Sequence, residues 1–149
     1  MRLSKLKILT VIAISAIISI SANAQVGLTF ERITSDAGYV EGDTVNISVF
    51  ADSSLTDEGA LALTMRLTYD DYYLLPLAVK TDSSILKDAG WSVTPNLSDP
   101  DVISIAAAGT SELTGSGRLF SIDFELVRRG TGNIFFDKPN TFFNESVDD

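Results

Sequence analysis

The chain of 149 residues contains no cysteine and no histidine. Neither imidazole nor thiolate is therefore present to bind zinc, to act as a general base or to complete a serine or cysteine hydrolase triad. Without disulfides, stability has to come from a buried core. A pair of carboxylates would suffice for a glycosidase, but nothing in the sequence marks such a pair. We therefore expect a protein that is not an enzyme.

Basic residues are scarce. Lysine and arginine number 11 against 20 aspartates and glutamates, which gives a formal net charge of −9. A chain this acidic repels phosphate backbones and anionic lipid surfaces. We expect no nucleic-acid partner.

The longest apolar run covers residues 8–20 and follows a basic start at Arg2, Lys5 and Lys7. Residues 21–24 supply the small-x-small pattern that signal peptidase requires. The run is short for a membrane span and polar sequence follows it. We therefore predict a signal peptide at residues 1–24, cleaved after Ala24, and a single domain at residues 25–149. The mature protein would be secreted, extracellular or periplasmic, and would have no membrane anchor.

The rest of the chain alternates apolar and polar residues with a period of two, which is typical of strands with one buried face. The apolar members, which we expect to share a face within each run, are Val26, Leu28 and Phe30; Val45, Ile47 and Val49; Leu61, Leu63, Met65 and Leu67; and Phe120, Ile122, Phe124 and Leu126. The last two sets are expected to point at the core. Turn signals separate seven or eight such strands, with a helical turn expected within residues 81–89. This pattern predicts an antiparallel all-β sandwich.

The stretch LTYDDYYLLPL, residues 67–77, raises the question of a binding site. Neighbouring residues in an extended chain point to opposite faces, so either Tyr72 or Tyr73 should be exposed. Pro76 predicts an edge strand or a bulge, because proline cannot donate to a ladder. Tyr72, Tyr73 and Trp91 are the residues on which direct polysaccharide binding would rest, although a core or rim position is favoured for Trp91.

Two acidic loops could be considered for calcium, one with Asp52, Asp57 and Glu58 and one with Asp99 and Asp101. Neither has the spacing of an EF-hand loop. We interpret these acids as solvated turn residues and predict no metal and no cofactor in this chain.

The order of motifs from Gly42 onward resembles the cohesin domain, the receptor module of cellulase-assembling scaffolds. The resemblance is carried by the following segments: GDTV at 42–45, the alternating run that ends in Tyr69 and Asp70, VISIAA at 102–107, GRLFSIDF at 117–124 and GNIFFD at 132–137. Together they span most of residues 25–149 in the family's order.

The resemblance implies a jelly-roll β-sandwich of two antiparallel sheets without catalytic activity. It also implies that the partner is a dockerin-like protein, a small helical module that itself carries calcium. The implied partner-binding residues lie outward on two adjacent strands and are Ala62, Thr64, Arg66, Ser104 and Ala106. Ala62 and Thr64 stand where many members have asparagine and aspartate. The family also has further strand sequence after the match to residue 137, so the resemblance implies a sandwich that lacks its last strand, borrows one from a partner or exposes an edge.

Overall fold

The computed structural model describes residues 27–30, 38–56 and 58–144. The predicted signal peptide, Val26 and Asp57 lie outside these residues. Within them the chain forms nine strands and one short helix. The strands are β1 Leu28–Phe30, β2 Thr44–Ala51, β3 Ala62–Tyr69, β4 Leu74–Lys80, β5 Ser92–Asn96, β6 Val102–Ala108, β7 Gly117–Leu126, β8 Ile134–Phe136 and β9 Phe142–Phe143; the helix is α1 Ile85–Asp88.

The strands form two antiparallel sheets. One sheet has the order β1-β2-β7-β4, and the other has the order β5-β6-β3-β8, with β9 also paired to β3. This architecture confirms the predicted fold class, a jelly-roll β-sandwich. The described residues contain nine strands, one more than the upper predicted number of eight. The sequence did not predict β9 because this strand is only two residues long and shows no alternation.

The core lies between the sheets and is built from the alternating runs. Val45, Ile47 and Val49 on β2 are fully buried, as are Phe120 and Phe124 on β7. Period-two alternation places such residues on one face of each strand. The sequence prediction is therefore confirmed for these strands.

Two pairs of aromatic rings join the sheets directly. Phe30 on β1 stacks on Phe136 on β8, with ring centroids 4.1 Å apart. The rings of Tyr69 and Phe124 make a second, tilted contact at 5.9 Å. Each pair links one sheet to the other, so aromatic contacts help to fix the distance between the layers.

The prediction that Leu61 points inward is wrong. Its side chain is 45% exposed, whereas Ala60 is fully buried. Strand β3 begins only at Ala62, so the alternation of the strand does not extend back to residue 61. Leu61 instead lies in the connection before the strand, where its backbone N–H donates to the Asn144 Oδ1 atom at 2.8 Å.

Two of the four prolines lie on outer strands. Strand β4 ends the first sheet, and its register on β7 shifts between Pro76 and Ala78. Pro76 is thus both at an edge and at a bulge, which confirms the prediction. Pro95 lies on β5, which ends the second sheet. The edge strands β4 and β5 therefore each contain one residue without a backbone N–H donor, which makes pairing with a foreign strand less favourable.

The predicted helical turn within residues 81–89 is α1, which Ser84 caps by accepting a hydrogen bond from the Lys87 N–H. Gly90 follows with a φ of 71°, a conformation that glycine adopts readily. In the described part of the chain, no helix is long and apolar enough to span a membrane.

Candidate functional site

Strands β3 and β6 lie side by side, as expected. In their antiparallel register Thr64 faces Ala106 and Arg66 faces Ser104. The alternate residues Leu63, Met65 and Leu67 are buried. The five predicted partner-binding residues are therefore brought together on the outer face of one sheet.

Strand β5 continues this outer face. Ser92 pairs with Ala108, Thr94 with Ala106 and Asn96 with Ser104. We call the combined surface the candidate face, and its outward residues are Ala62, Thr64, Arg66, Ser92, Thr94, Asn96, Ser104, Ala106 and Ala108. All of them except Arg66 are uncharged, and most are small.

A shallow groove of about 440 Å³ runs along the candidate face. Its lining includes Ala62, Thr64 and Ala106, together with Thr94 and Asn144. Alanine, serine and threonine side chains end close to the backbone, so a partner can approach the sheet closely. The groove is the physical result of small residues at adjacent register positions.

One edge of β3 is closed by residues 137–144, which we call the strap. Strands β8 and β9 pair with the two ends of β3, and the 3₁₀ turn Lys138–Asn140 bulges out between β8 and β9. At the gap the buried Thr141 hydroxyl accepts from the Arg66 N–H at 3.1 Å and lies 3.2 Å from the Arg66 carbonyl oxygen, to which it donates. A side chain here replaces a missing ladder partner.

Asn144 holds the far end of the strap. Its Oδ1 atom accepts from the backbone N–H groups of Leu61 and Ala62, and its Nδ2 atom donates to the Gly59 carbonyl at 3.0 Å. Its own N–H donates to the Ala62 carbonyl at 2.8 Å. The residue has a φ of 55°, which asparagine tolerates better than most residues. Asn144 thereby fixes one wall of the groove.

Arg66 is the single charged side chain among the outward residues of β3, β5 and β6. Its Nε atom lies 3.3 Å from the Asp137 Oδ2 atom of the strap, and the Arg66 side chain is 46% exposed. The same Asp137 oxygen accepts a hydrogen bond from the Asn140 amide. Asp137 is thus held on two sides and orients the guanidinium from its Nε edge.

The three residues of the carbohydrate alternative have different surroundings. Trp91 is 7% exposed, and its indole N–H donates to the Ser111 carbonyl at 2.9 Å. An indole buried in this way offers no face to a sugar ring, so the structure removes Trp91 from the alternative and gives it the favoured core position. The indole can occupy this position because residue 109 is a glycine; a Cβ atom there would lie 2.2 Å from the Trp91 ring.

Tyr72 is the exposed member of the tyrosine pair, at 56%, and Tyr73 packs against the core. Their rings meet edge to face at 4.9 Å, and the Arg128 guanidinium lies 4.4 Å from the centre of the Tyr72 ring. Arginine therefore already covers one face of Tyr72. Of the three predicted residues, only Tyr72 offers an exposed ring at this corner.

The acidic loops show no grouped ligands in the described residues, where no set of three or more histidine, cysteine, aspartate or glutamate side chains could hold a metal ion. Asp52 accepts a hydrogen bond from Thr29, and Asp99 accepts one from Asn96. These contacts are those of acids that stabilise turns and strand ends.

Sequence reasoning missed Thr94 and Ser92 on β5 and the strap residues Thr141 and Asn144. The β5 pair could have been found by extending the register across β6. The strap had no such signal, because Thr141 and Asn144 act on backbone 75 to 85 positions earlier in the chain.

Comparison of the sequence with protein-family models and with curated proteins gave no match. Comparison of the structure with solved structures gave several. The CaCohA2 module of Clostridium acetobutylicum is 19% identical with a TM-score of 0.60, over 95% of this chain and 83% of that chain. The third cohesin of ScaC from Acetivibrio cellulolyticus, solved with the ScaB dockerin, is 18% identical with a TM-score of 0.59, over 73% of this chain and 80% of that one.

A third solved structure is a type I cohesin–dockerin complex from Clostridium thermocellum. It is 15% identical to this chain, with a TM-score of 0.56, and the alignment covers 87% of this chain and 79% of that one. The chain therefore has a cohesin-like fold, which confirms the resemblance drawn from the order of its motifs.

Proposed function

We propose that this chain is a non-catalytic recognition module that binds a dockerin-like protein through the candidate face. The observation that carries the proposal is the face itself, a nearly neutral surface of small side chains on a chain with a net charge of −9. An acidic protein that exposes its charges elsewhere and leaves one sheet almost uncharged presents a surface with a low cost of desolvation.

The shape of the face favours a protein partner over a small ligand. The groove is open and shallow, and its small side chains lose little conformational entropy when they are covered. A helix laid along the sheet could contact residues of three strands. A stable interface buries about 800 Å² on each partner. An interface of this size would cover the groove and also the neighbouring strap and Leu61.

The fold supports the same proposal. Cohesins of this fold have been solved in complex with dockerins, including the Acetivibrio cellulolyticus and Clostridium thermocellum structures. The present face has Ala62 and Thr64 at its centre, so its contacts would depend on close packing and hydroxyl hydrogen bonds. Calcium would belong to the partner.

We also propose that the module acts outside the cytoplasm, in the degradation of polysaccharides. The support is the signal-peptide pattern of residues 1–24 together with the cohesin resemblance. Expression of the full chain in a bacterial host tests export. A periplasmic or secreted product whose mass begins at Gln25 would support it, and a cytoplasmic product that keeps Met1 would contradict it.

Binding can be tested by titrating the purified domain with a panel of dockerins in a calorimeter, with calcium and again with a chelator. The panel includes the Acetivibrio cellulolyticus ScaB dockerin and dockerins encoded in the same genome as this chain. We expect at least one dockerin to bind in calcium and none after chelation. Absence of binding across the panel would contradict the proposed partner.

A matched pair of variants locates the interface. Ala106→Arg places a long charged side chain in the centre of the groove at an exposed position, so the domain should fold but lose binding. Thr44→Arg makes a similar change at an exposed position of β2 in the other sheet and should leave binding unchanged. Equal loss in both variants would place the interface elsewhere.

The carbohydrate alternative now depends on the exposed ring of Tyr72. Affinity electrophoresis in plant and microbial glycans tests it. Retardation of the wild-type protein that is lost in Tyr72→Ala would support sugar binding at this corner. Unchanged mobility in every glycan would count against it.

A further inference from the structure

The orientation of Arg66 indicates the chemistry of the partner segment that contacts the candidate face. Asp137 approaches the guanidinium at the Nε atom. Among the described residues, none accepts a hydrogen bond from the two terminal nitrogens of Arg66. These nitrogens form the fork with which arginine binds carboxylates in a bidentate manner.

Apart from Asp137, the neighbours of Arg66 across the sheet on β6 and β5 are uncharged. The residues beside Arg66 across the sheet are Ser104 and, one strand further, Asn96. No acidic side chain occurs among the outward residues of β3, β5 and β6. Within this face, the terminal nitrogens of Arg66 are thus the strongest donors without an internal acceptor.

The backbone of Arg66 is fixed as well. Its N–H and carbonyl groups are bonded to the Thr141 hydroxyl, and its carbonyl also accepts from the Asp137 N–H at 2.8 Å. Asp137 therefore acts on Arg66 through both backbone and side chain. A side chain held in this way loses less freedom on binding than a mobile one.

From this geometry we infer that Arg66 is the specificity-determining residue of the candidate face and that it receives an aspartate or glutamate side chain from a helical partner segment. Asp137 is a positioning residue. The inference rests on the proposed function for the place of docking, but it specifies the charge of the partner. An acidic group opposite Arg66 is selected, and a basic group there is rejected by the guanidinium.

The test uses helical peptides, so that it does not depend on any dockerin. Three alanine- and serine-rich peptides of about 20 residues differ only at the central position, which is Glu, Gln or Lys. Each is titrated into the ¹⁵N-labelled domain and followed by NMR. We expect the Glu peptide to shift the amides of Thr64, Ser104 and Ala106 and the Nε–H of Arg66. Its affinity should exceed that of the Gln peptide by about two- to fivefold, as for an exposed ion pair.

Variants separate charge from geometry. Arg66→Gln should remove the preference for Glu over Gln, and Arg66→Lys, which keeps the charge but lacks the fork, should retain only part of it. Arg129→Gln, at an exposed position outside these strands, is the matched control and should keep the preference. Equal binding of the Glu and Lys peptides, shifts that map away from Arg66, or no shift at millimolar peptide would each overturn the inference.

The outcomes are independent of the dockerin panel. Calcium-dependent dockerin binding that is unaffected by Arg66→Gln would leave the proposed function intact and overturn the inference. A preference for the Glu peptide that depends on Arg66, without binding of any dockerin, would support the inference and contradict the proposed partner.

Discussion

Trp91 and Gly109 form a matched pair of large and small residues. The indole occupies the space where a side chain at position 109 would lie, and its N–H group is bonded to the Ser111 carbonyl. The pair closes the core at the start of β5, beside the candidate face. Trp91 therefore supports the face from behind without being part of it.

We predict that Trp91→Ala lowers the free energy of unfolding by about 3–5 kcal/mol, as for other buried aromatic residues cut to alanine. Urea denaturation followed by circular dichroism measures the change. Trp91→Phe, which keeps most of the ring, should lose less. A variant with unchanged stability that loses binding to a glycan would contradict the core assignment.

Thr141 is a second residue whose role depends on one atom. Its hydroxyl bonds both backbone groups of Arg66 and is buried. In Thr141→Val the Arg66 N–H loses its acceptor, so we expect a loss of about 1–3 kcal/mol in the free energy of unfolding. Thr141→Ser keeps the hydroxyl and is the control. Equal stability of the valine and wild-type proteins would show that the hydroxyl is dispensable.

At the scale of elements, the fold depends on how strand edges are closed. Edge strands β4 and β5 each contain a proline, and the edge of β3 is closed by the strap through a mixture of strand pairing and side-chain hydrogen bonds. Unpaired strand edges favour association between chains, so each of these devices protects the domain. The strap differs from the prolines because it also lines the groove.

The hold of Asn144 on β3 can be measured by amide hydrogen exchange. Asn144→Ala removes the acceptor of the Leu61 and Ala62 N–H groups. We expect the exchange of these two amides to become about 10- to 100-fold faster through local opening, while amides of β7 stay protected. Asn140→Ala, at an exposed position of the same strap, should not change them. Unaltered exchange in Asn144→Ala would mean that β9 pairing alone holds the strap.

The sequence predicted those strands that have one face towards the core and the other towards solvent. Strand β3 shows clear alternation because one face is buried, and its pairing with β6 followed from the resemblance. The predicted inward residues of β2 and β7 are buried as well, although Ser48, Leu119 and Ser121 beside them are also buried. Leu61 was misplaced because alternation does not mark the residue at which a strand begins. The strap was missed because its contacts are polar, local in space and distant in sequence.

At the scale of the whole molecule, acidic residues outnumber basic ones. In the described part of the chain, a few of these acids form ion pairs. The outer face of the first sheet contains a network in which Asp123 pairs with Lys80 and accepts a hydrogen bond from the Asn46 amide at 2.6 Å. The hydrogen bond from Lys80 holds the pKa of the Asp123 carboxyl below its ordinary value of 3.8; burial opposes this effect and the Asn46 amide adds to it.

This pKa predicts part of the acid sensitivity of the domain. Because the lowered pKa exists only in the folded state, Asp123 stabilises the fold above pH 3.8, and the stabilisation is lost as the pH falls through the folded pKa. We therefore expect Asp123→Asn to be less stable than wild type at neutral pH and to approach it in strong acid. Urea midpoints from neutral pH to about pH 2 measure this.

Glu112→Gln, at an exposed loop position, is the control. The difference in stability between this variant and wild type should not decrease as the pH falls. A constant difference between Asp123→Asn and wild type over the whole range would show that the ion pair does not govern the acid limb.

The bend Lys138–Asn140 has a consequence for engineering. All three of its residues are exposed, and the chain is anchored by Asp137 before it and by Thr141 after it. An insertion at such an exposed position changes only the two backbone hydrogen bonds that span the bend, from the Asn140 N–H to the Asp137 carbonyl and from the Thr141 N–H to the Lys138 carbonyl, so we expect extra residues to be tolerated. A fluorophore-labelled loop inserted there would stand beside the candidate face and report its occupancy by a change in emission.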